Sequence, residues 1–347
     1  MRYTIKFGTY FGIPVRIHLT FPLILLVFGV DGWRSGGWGE AVWAVALVAA
    51  VFVCVVLHEF GHSLQVRRYG IKVRDIVLLP IGGMARAERI PEDPVQEIIV
   101  AISGPLVNFA LAAIFFLILR LRNVPLDLDH GFLVNLMVIN IILGVFNLIP
   151  AFPMDGGRIL RGVFATRMSY LKATRYAKNI GQVIAIGFAI LGFADQRFIM
   201  LPLIGVFIFF SAMSEEKMIR IRIGLGEKWA RDFIVPGNTM LFPNSTVESA
   251  AASLEPGQPF ALPITNADGS LVGAVEATDV RQAMKRGMGG TPLEPWVKTE
   301  FPLIDAGTSA MQAYYILHSH KRRLAGIMEN GQFLGLVSYD DLTAAIA

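Results

Sequence analysis

Long apolar segments recur through the first 214 residues of the chain, and they constrain its fold more than any other feature. Residues 41–57 form an apolar run without a single polar side chain. A helix needs about 20 mostly apolar residues to cross the hydrocarbon core of a bilayer. We therefore predict six membrane spans, at about residues 17–30, 41–66, 96–119, 131–150, 179–194 and 198–213.

The composition supports this interpretation. Hydrophobic residues make up 54% of the 347 residues and charged residues only 17%, whereas soluble proteins have about 25% charged residues. These values exclude a disordered chain, a collagen-like chain and a typical soluble enzyme. The single cysteine excludes a disulfide framework and a cysteine-built zinc cluster.

The distribution of lysine and arginine predicts the orientation of the spans. These residues cluster before the first span, between the second and third, between the fourth and fifth, and after the sixth. Positive charge favours the cytoplasmic side, so we expect both termini in the cytoplasm. Because the charges flank apolar runs and form no single patch, we predict no nucleic-acid binding.

The second span ends in a motif with metal-binding spacing. Residues 58–62 read His-Glu-Phe-Gly-His. Two histidines at i and i+4 share one helix face, so His58 and His62 can bind the same metal ion, and Glu59 is placed to act as a general base. The alternative is a pair of surface histidines, but ionisable groups inside a span are costly and usually functional.

A catalytic zinc ion usually has three protein ligands and one open position. Few acidic or imidazole side chains lie in or beside the other spans, among them His18, Glu97, Asp155 and Asp195. Asp195 falls at the outer face, and Glu97 can be solvated in the cytoplasm. Asp155 follows the fourth span, after two prolines that break the helix, at the depth of the histidines. The alternative role for Asp155 is to cap the following helix.

Two motifs together resemble those of a known family. The His-Glu-Phe-Gly-His sequence is followed, at residues 147–156, by Asn-Leu-Ile-Pro-Ala-Phe-Pro-Met-Asp-Gly. Over about residues 8–215 the chain resembles the site-2 protease family of intramembrane zinc metalloproteases. The resemblance implies that His58, His62 and Asp155 bind one zinc ion per chain and that Glu59 is the catalytic carboxylate. Met154 stands where the family often has leucine.

The same resemblance implies a substrate class and a location. Its members cut transmembrane segments of single-span membrane proteins, such as membrane-bound anti-sigma factors or transcription-factor precursors. We therefore expect an integral protein of a prokaryotic plasma membrane, surrounded by the lipid bilayer.

Several residues are candidates for substrate binding. Residues 70–85 are too short and too charged to span, and their partial alternation predicts a hairpin whose edge strand, including Gly82 and Gly83, pairs with unwound substrate. A plain cytoplasmic hairpin is the alternative. The resemblance favours Asn147 as a contact for substrate backbone, and Asn108 lies in a segment that also resembles a family feature. Helix packing is the alternative for both asparagines.

The last part of the chain contains an internal repeat. Residues 241–247 correspond to residues 303–309, and residues 271–280 correspond to residues 333–342, both at an offset of 62. The equal offset indicates a duplication in which each copy buries its apolar face on the other. We predict that each copy is built as strand, helix, strand, turn, strand and helix.

Each copy resembles a cystathionine-β-synthase-type (CBS) domain, here as a tandem pair. The resemblance implies a cleft for an adenine nucleotide such as ATP or AMP. Asp279 and Asp341 match its ribose-contacting position, and Ser338 matches the neighbouring hydroxyl position, where the first copy has Glu276. Two alternatives stay open. The aspartates cap helices, or the pair serves only to form a homodimer.

We therefore expect an α-helical polytopic membrane protein with six transmembrane helices, a small β-hairpin between helices 2 and 3, and α/β cytoplasmic tandem CBS domains. The predicted domains are residues 1–222 (zinc metalloprotease), 223–230 (linker), 231–290 (first CBS domain) and 291–347 (second CBS domain). Two other interpretations are a catalytically inactive relative that binds membrane segments and a CBS-gated channel or transporter.

Overall fold

The computed structural model describes residues 3–88, 91, 93–126, 131–234, 241–254 and 261–346. The chain divides into two compact units, Met1–Glu216 and Lys217–Ala347. We call the first the membrane unit and the second the tail. The helices that begin in the membrane unit are α1 (Phe21–Arg68), α2 (Pro94–Leu121), α3 (Phe132–Asn147), α4 (Asp155–Ala165), α5 (Tyr170–Ala194) and α6 (Leu201–Leu225).

Helix α1 is a helical hairpin, because its backbone leaves the helical conformation at Gly36 and Gly37. Gly37 has φ of 77°, a left-handed conformation that glycine adopts without strain. The two limbs pack against each other, with the rings of Phe21 and Phe52 edge to face at 4.7 Å between centroids. Helix α1 therefore contains the first two predicted spans.

Three helices within the described residues are long and apolar enough to cross a membrane: α1, α2 and α5. Helix α3 is apolar but has only 16 residues, and the predicted sixth span lies at the start of α6. The protein is thus an integral membrane protein. One boundary prediction was wrong, since the first limb of α1 begins at Phe21 and not at residue 17.

The reason is a four-stranded sheet at the start of the chain, in the order β1-β2-β3-β4. Its strands are β1 (Thr4–Tyr10), β2 (Ile13–His18), β3 (Val73–Leu79) and β4 (Gly82–Ala87). Strands β3 and β4 are antiparallel and lie where the hairpin is predicted. The sequence analysis missed β1 and β2, whose alternation is short; β2 pairs parallel to β3.

A buried carboxylate and an apolar cluster hold this sheet in place. Asp75 on β3 lies between Arg16, at 3.0 Å, and Arg86. Hydrogen bonding to Arg86 lowers the pKa of Asp75 below its usual value. Ile13 and Ile76 pack with Phe60 of α1. Strand β4, an edge strand, is thereby fixed beside the metal-binding motif.

Arg161 joins three helices inside the membrane unit. Its side chain is 0% exposed. Its Nε donates to Oε1 of Glu97 on α2 at 2.9 Å, and its Nη1 donates to Oε1 of Glu215 on α6 at 2.7 Å. The guanidinium lies 5.0 and 4.9 Å from the ring centroids of Phe152 and Tyr170. These contacts set the position of α4, which begins at Asp155.

The predicted order of elements is complete in the second copy of the tail, and the first copy has it except for the first strand. The first copy contains α7 (Val247–Ala252), β5 (Ala261–Thr265), β6 (Leu271–Glu276) and α8 (Ala277–Lys285). The second contains β7 (Leu303–Asp305), α9 (Ala310–Ser319), β8 (Leu324–Glu329), β9 (Gln332–Ser338) and α10 (Tyr339–Ala344). In the first copy, a single parallel bridge from Leu241 to Ile264 takes the place of β7.

The predicted linker at residues 223–230 differs from the structure. Helix α6 continues to Leu225, and both Leu225 and Ala230 are buried in the apolar core of the second copy. The sequence alone favours a linker there because Gly226 and the charged residues beside it are typical of one, whereas the apolar contacts come from residues far along the chain.

Candidate metal centre and active site

Two of the predicted ligands lie one turn apart on the second limb of α1. The rings of His58 and His62 meet edge to face, with centroids 4.7 Å apart. Their Nε2 atoms are 3.0 Å from each other, and both side chains are buried. The i, i+4 spacing thus directs both nitrogens to one point, as predicted.

Asp155 comes to the same point from α4. Its Oδ2 lies 3.3 Å from Nε2 of His58 and 3.1 Å from Nε2 of His62. The helical conformation is interrupted between the end of α3 and the start of α4, where the two prolines lie. Met154, not Asp155, is the N-cap of α4, and its side chain makes no capping hydrogen bond. The capping alternative for Asp155 is therefore wrong.

The other ring nitrogen of each imidazole, Nδ1, contacts a hydrogen-bond acceptor. Nδ1 of His58 lies 2.5 Å from Oδ1 of Asn108, and Nδ1 of His62 lies 2.8 Å from the carbonyl oxygen of Val100. An acceptor at Nδ1 keeps the proton there and leaves the Nε2 lone pair for a metal. The ligand atoms of the three residues lie within 4.8 Å of one another. Two imidazoles and a carboxylate fit zinc.

Small residues allow α2 to approach α1 at this point. A Cβ atom at Gly104 of α2 would collide with both imidazoles. A Cβ atom at Gly61 of α1 would lie 2.6 Å from the carbonyl oxygen of Ser103. Glycines at such helix contacts permit close backbone approach in membrane proteins. Helix α2 therefore lies directly behind the two histidines.

Glu59 lies between the metal-binding histidines and the sheet. Its Oε2 accepts a hydrogen bond from the backbone N–H of Ala85 on β4 at 2.9 Å. A Cβ atom at Gly83 would lie 2.8 Å from Cγ of Glu59. Glu59, the two histidines and Asp155 line one cavity of about 850 Å³. Glu59 and the three predicted metal ligands thus face the same space.

The predicted substrate residues fall into two groups. Gly82, Gly83 and Asn147 line this cavity, although the amide of Asn147 also donates to the carbonyl of Leu143 at 3.0 Å. Asn108 is 1% exposed and contacts His58 instead. Asn140 on α3, which bonds to Asn108, was missed; its signal was a polar side chain inside an apolar span.

The predicted nucleotide residues have other partners within the tail. Oγ of Ser338 accepts from the backbone N–H of Asp341 at 3.0 Å and donates to Oδ2 of Asp341 at 2.6 Å. The first of these bonds, together with the bond that the backbone N–H of Ser338 donates to Oδ2 of Asp341 at 3.2 Å, forms a capping box at α10. Nζ of Lys298 lies 2.9 Å from Glu276 and 3.2 Å from Asp279 of the first copy. The bond to Glu276 raises the pKa of Lys298.

A cavity of about 570 Å³ in the tail lies elsewhere. Residues beside its two β-turns line it, among them Ser270, Thr299 and Gln332. Its lining does not include Asp279, Ser338 or Asp341. The capping alternative therefore describes the contacts of Ser338 and Asp341, while Asp279 is held by an ion pair.

Comparison with known proteins gives the family. The model of Peptidase family M50 matches residues 46–126 and 127–191. A zinc metalloprotease of Methanocaldococcus jannaschii is 30% identical over 348 residues, which cover 100% of this chain and 97% of that protein.

Two solved structures are also similar to parts of the chain. The site-2 protease from Methanocaldococcus jannaschii has 37% identity and a TM-score of 0.47, covering 62% of this chain and 95% of that one. The CBS domain of a bacterial CNNM/CorC-family Mg²⁺ transporter, in complex with ATP, has 20% identity and a TM-score of 0.32, covering 38% and 96%. From the family model and the full-length relative, the chain belongs to peptidase family M50, the site-2 protease family of zinc metalloproteases.

Proposed function

We propose that the protein is an intramembrane endopeptidase that cleaves the transmembrane segments of single-span membrane proteins. One zinc ion would be held by His58, His62 and Asp155, with Glu59 as the catalytic carboxylate. The observation that carries the proposal is the convergence of these four side chains on one cavity, within a unit of long apolar helices.

The chemistry follows from the positions of the side chains. A zinc ion held by these residues would supply a Lewis acid for the scissile carbonyl and would lower the pKa of water at the site towards 7. Glu59 takes a proton from the attacking water and delivers it to the leaving amine. The N–H of Ala85 holds Oε2 of Glu59, so Oε1 is the oxygen that moves the proton.

The edge of the sheet is the proposed site for the unwound substrate. A helical substrate hides its peptide bonds in its own hydrogen bonds, so it must be extended before it is cut. Strand β4 is an edge strand, and an edge strand can pair with an added peptide. Gly82 and Gly83 leave room for that peptide beside Glu59, and Asn147 lies on the wall of the same cavity.

The proposed topology has six spans. The two limbs of α1, together with α2, α3, α5 and α6, supply them. The positive charges between the spans favour a cytoplasmic position for both termini and the tail. The membrane is a prokaryotic plasma membrane, and membrane-bound anti-sigma factors or transcription-factor precursors are the proposed substrates.

For the tail we propose regulation of the peptidase, by binding of ATP or AMP, by formation of a homodimer, or by both. The duplicated strand and helix order supports a tandem CBS pair. The two copies are unequal, since Lys298 neutralises the carboxylates of the first copy. Nucleotide would therefore bind at the second copy, where Ser338 and Asp341 bond to each other.

The test is cleavage of a labelled single-span reporter by the purified full chain in detergent. We expect wild type to cut, and a zinc chelator or Glu59→Gln to stop it. Glu88→Gln is the matched control, because Glu88 is another glutamate on the cavity wall and should tolerate the change. Addition of ATP or AMP should change the rate of wild type.

Two outcomes would contradict the proposal. Equal cutting by wild type and Glu59→Gln would remove Glu59 from the chemistry. Zinc-loaded wild type that cuts none of several reporters would favour an inactive relative that only binds membrane segments.

A further inference from the structure

A chain of three hydrogen bonds runs from His58 through two buried asparagines. Nδ1 of His58 lies 2.5 Å from Oδ1 of Asn108 on α2. Nδ2 of Asn108 donates to Oδ1 of Asn140 on α3 at 2.9 Å. Nδ2 of Asn140 donates to the carbonyl oxygen of Leu136 at 2.8 Å. The two asparagines are 1% and 0% exposed, so water does not compete for these bonds.

If His58 is to bind a metal, these hydrogen bonds can have only one donor-to-acceptor direction. A neutral imidazole has one N–H, and an asparagine side chain has one acceptor oxygen and one donor NH₂ group. His58 can offer Nε2 to a metal only if its proton is on Nδ1, and that proton then needs an acceptor. Asn108 provides the acceptor in one of its two amide orientations and a donor in the other.

Asn140 selects between these orientations. Its Oδ1 can only accept, so it fixes the NH₂ group of Asn108 on its own side and leaves the Asn108 oxygen towards His58. The orientation of Asn140 is in turn set by Leu136, whose backbone carbonyl has no donor form. A backbone carbonyl thus determines the donor-to-acceptor direction of all three hydrogen bonds.

His62 shows why His58 alone needs this arrangement. Nδ1 of His62 bonds directly to the backbone carbonyl of Val100 at 2.8 Å. That acceptor has no second orientation, so the proton position of His62 is fixed without any further residue. The partner of His58 is an amide that can rotate, and it requires a residue behind it.

We propose that Asn140 is a positioning residue for the metal site. By accepting from Asn108 it keeps the Asn108 oxygen towards His58, and so keeps His58 in the tautomer that leaves Nε2 free for zinc. The proposal rests on the proposed zinc site, but its test measures zinc binding and not peptidase activity. A wild type that binds zinc and cuts no reporter would contradict the proposed function and leave this proposal testable.

The experiment compares the zinc affinity of full-length variants by chelator competition, together with the visible spectrum of the Co²⁺-substituted proteins. Asn140→Leu keeps the branching of the side chain at Cγ and removes the acceptor. Loss of such an outer partner typically weakens metal binding by about 10- to 100-fold. We expect a loss in this range and a changed Co²⁺ spectrum.

A second substitution separates positioning from packing. In the Asn140→Leu background, Asn108→Asp gives His58 a carboxylate whose two oxygens both accept, so rotation no longer matters. We expect this double variant to recover most of the zinc affinity. If it binds zinc as weakly as Asn140→Leu alone, Asn140 acts only through packing and the proposal is wrong.

Two further variants complete the comparison. Thr174→Val removes a buried hydroxyl on α5 that bonds to the carbonyl of Tyr170 in its own helix, and we expect wild-type zinc affinity. Asn140→Asp keeps the acceptor and serves if Asn140→Leu does not fold; it should bind zinc nearly as tightly as wild type. Wild-type affinity in Asn140→Leu, or an equal loss in Thr174→Val, would overturn the proposal.

Discussion

The membrane unit contains a buried pair of a carboxylate with a basic side chain, whereas the corresponding pair in the tail is exposed. In the membrane unit, Arg161 and Glu97 are almost completely buried. In the tail, the side chain of Lys298 is 50% exposed beside Glu276 and Asp279. Removing one partner of a buried pair typically costs about 3–5 kcal/mol, whereas an exposed pair contributes about 0–1 kcal/mol. The same chemistry therefore has different consequences in the two units.

The largest expected effect is on catalysis in the membrane unit. Glu59→Gln removes the proton acceptor and keeps the shape of the side chain. General acid–base catalysis typically contributes about 10²- to 10⁴-fold, so we expect a fall of that size in kcat. Initial rates on the reporter measure it, with zinc content as the control. A fall in zinc content equal to the fall in rate would instead make Glu59 a structural residue.

The next effect is on the stability of the membrane unit. Arg161→Met leaves Glu97 buried without its partner, and we expect a loss of about 3–5 kcal/mol in the free energy of unfolding. Unfolding by denaturant in detergent micelles measures it. Arg175→Met is the matched control, because Arg175 also bonds to a glutamate, Glu216, but its side chain is 53% exposed.

A second substitution tests the physical reason for that effect. Glu97→Leu in the Arg161→Met background removes the unpaired carboxylate, so much of the stability should return. A loss no larger in Arg161→Met than in Arg175→Met would break the comparison between buried and exposed pairs.

A smaller effect is expected at the capping box of the tail. Ser338→Ala removes the acceptor for the backbone N–H of Asp341. Loss of such a cap typically costs about 0.5–2 kcal/mol. Hydrogen exchange of the α10 amides in the full chain measures this loss of stability. The control is Ser319→Ala, which replaces a serine at the end of α9. Unchanged exchange in α10 would show that the box contributes nothing.

The smallest effect belongs to the exposed pair of the first copy. Lys298→Met breaks the contacts to Glu276 and Asp279, and solvent screening limits the expected loss to less than about 1 kcal/mol. Thermal unfolding of the full chain at low and high salt measures it. A loss as large as that of Arg161→Met would contradict the role assigned to burial.

The sequence predicted that His58, His62 and Asp155 come together, because their positions follow from local rules. His58 and His62 share a face by helix spacing, and the break before Asp155 follows from two prolines. The residues that hold these ligands depend on contacts between helices. In the sequence, Arg161 is one of several positive charges between two predicted spans, which are expected to lie in the cytoplasm. Its burial is explained only by its contacts with Glu97 and Glu215.

Asn140 and the first two strands were missed for related reasons. A single asparagine in an apolar span can serve helix packing as well as a site, and its partner Asn108 is set by the contact of α3 with α2. Strand β2 pairs with β3, which follows the whole of α1 in the chain. Pairing over that distance leaves no local pattern in a six-residue strand.

The zinc content of purified full-length protein tests the central claim most directly. We would compare wild type, Asp155→Asn and Asp195→Asn after dialysis against a weak chelator, by elemental analysis. Asp195 is the control, since it pairs with Arg197 beyond the end of α5. We expect one zinc ion per chain in wild type and in Asp195→Asn, and its loss from Asp155→Asn. Wild-type zinc content in Asp155→Asn would contradict the site formed by His58, His62 and Asp155.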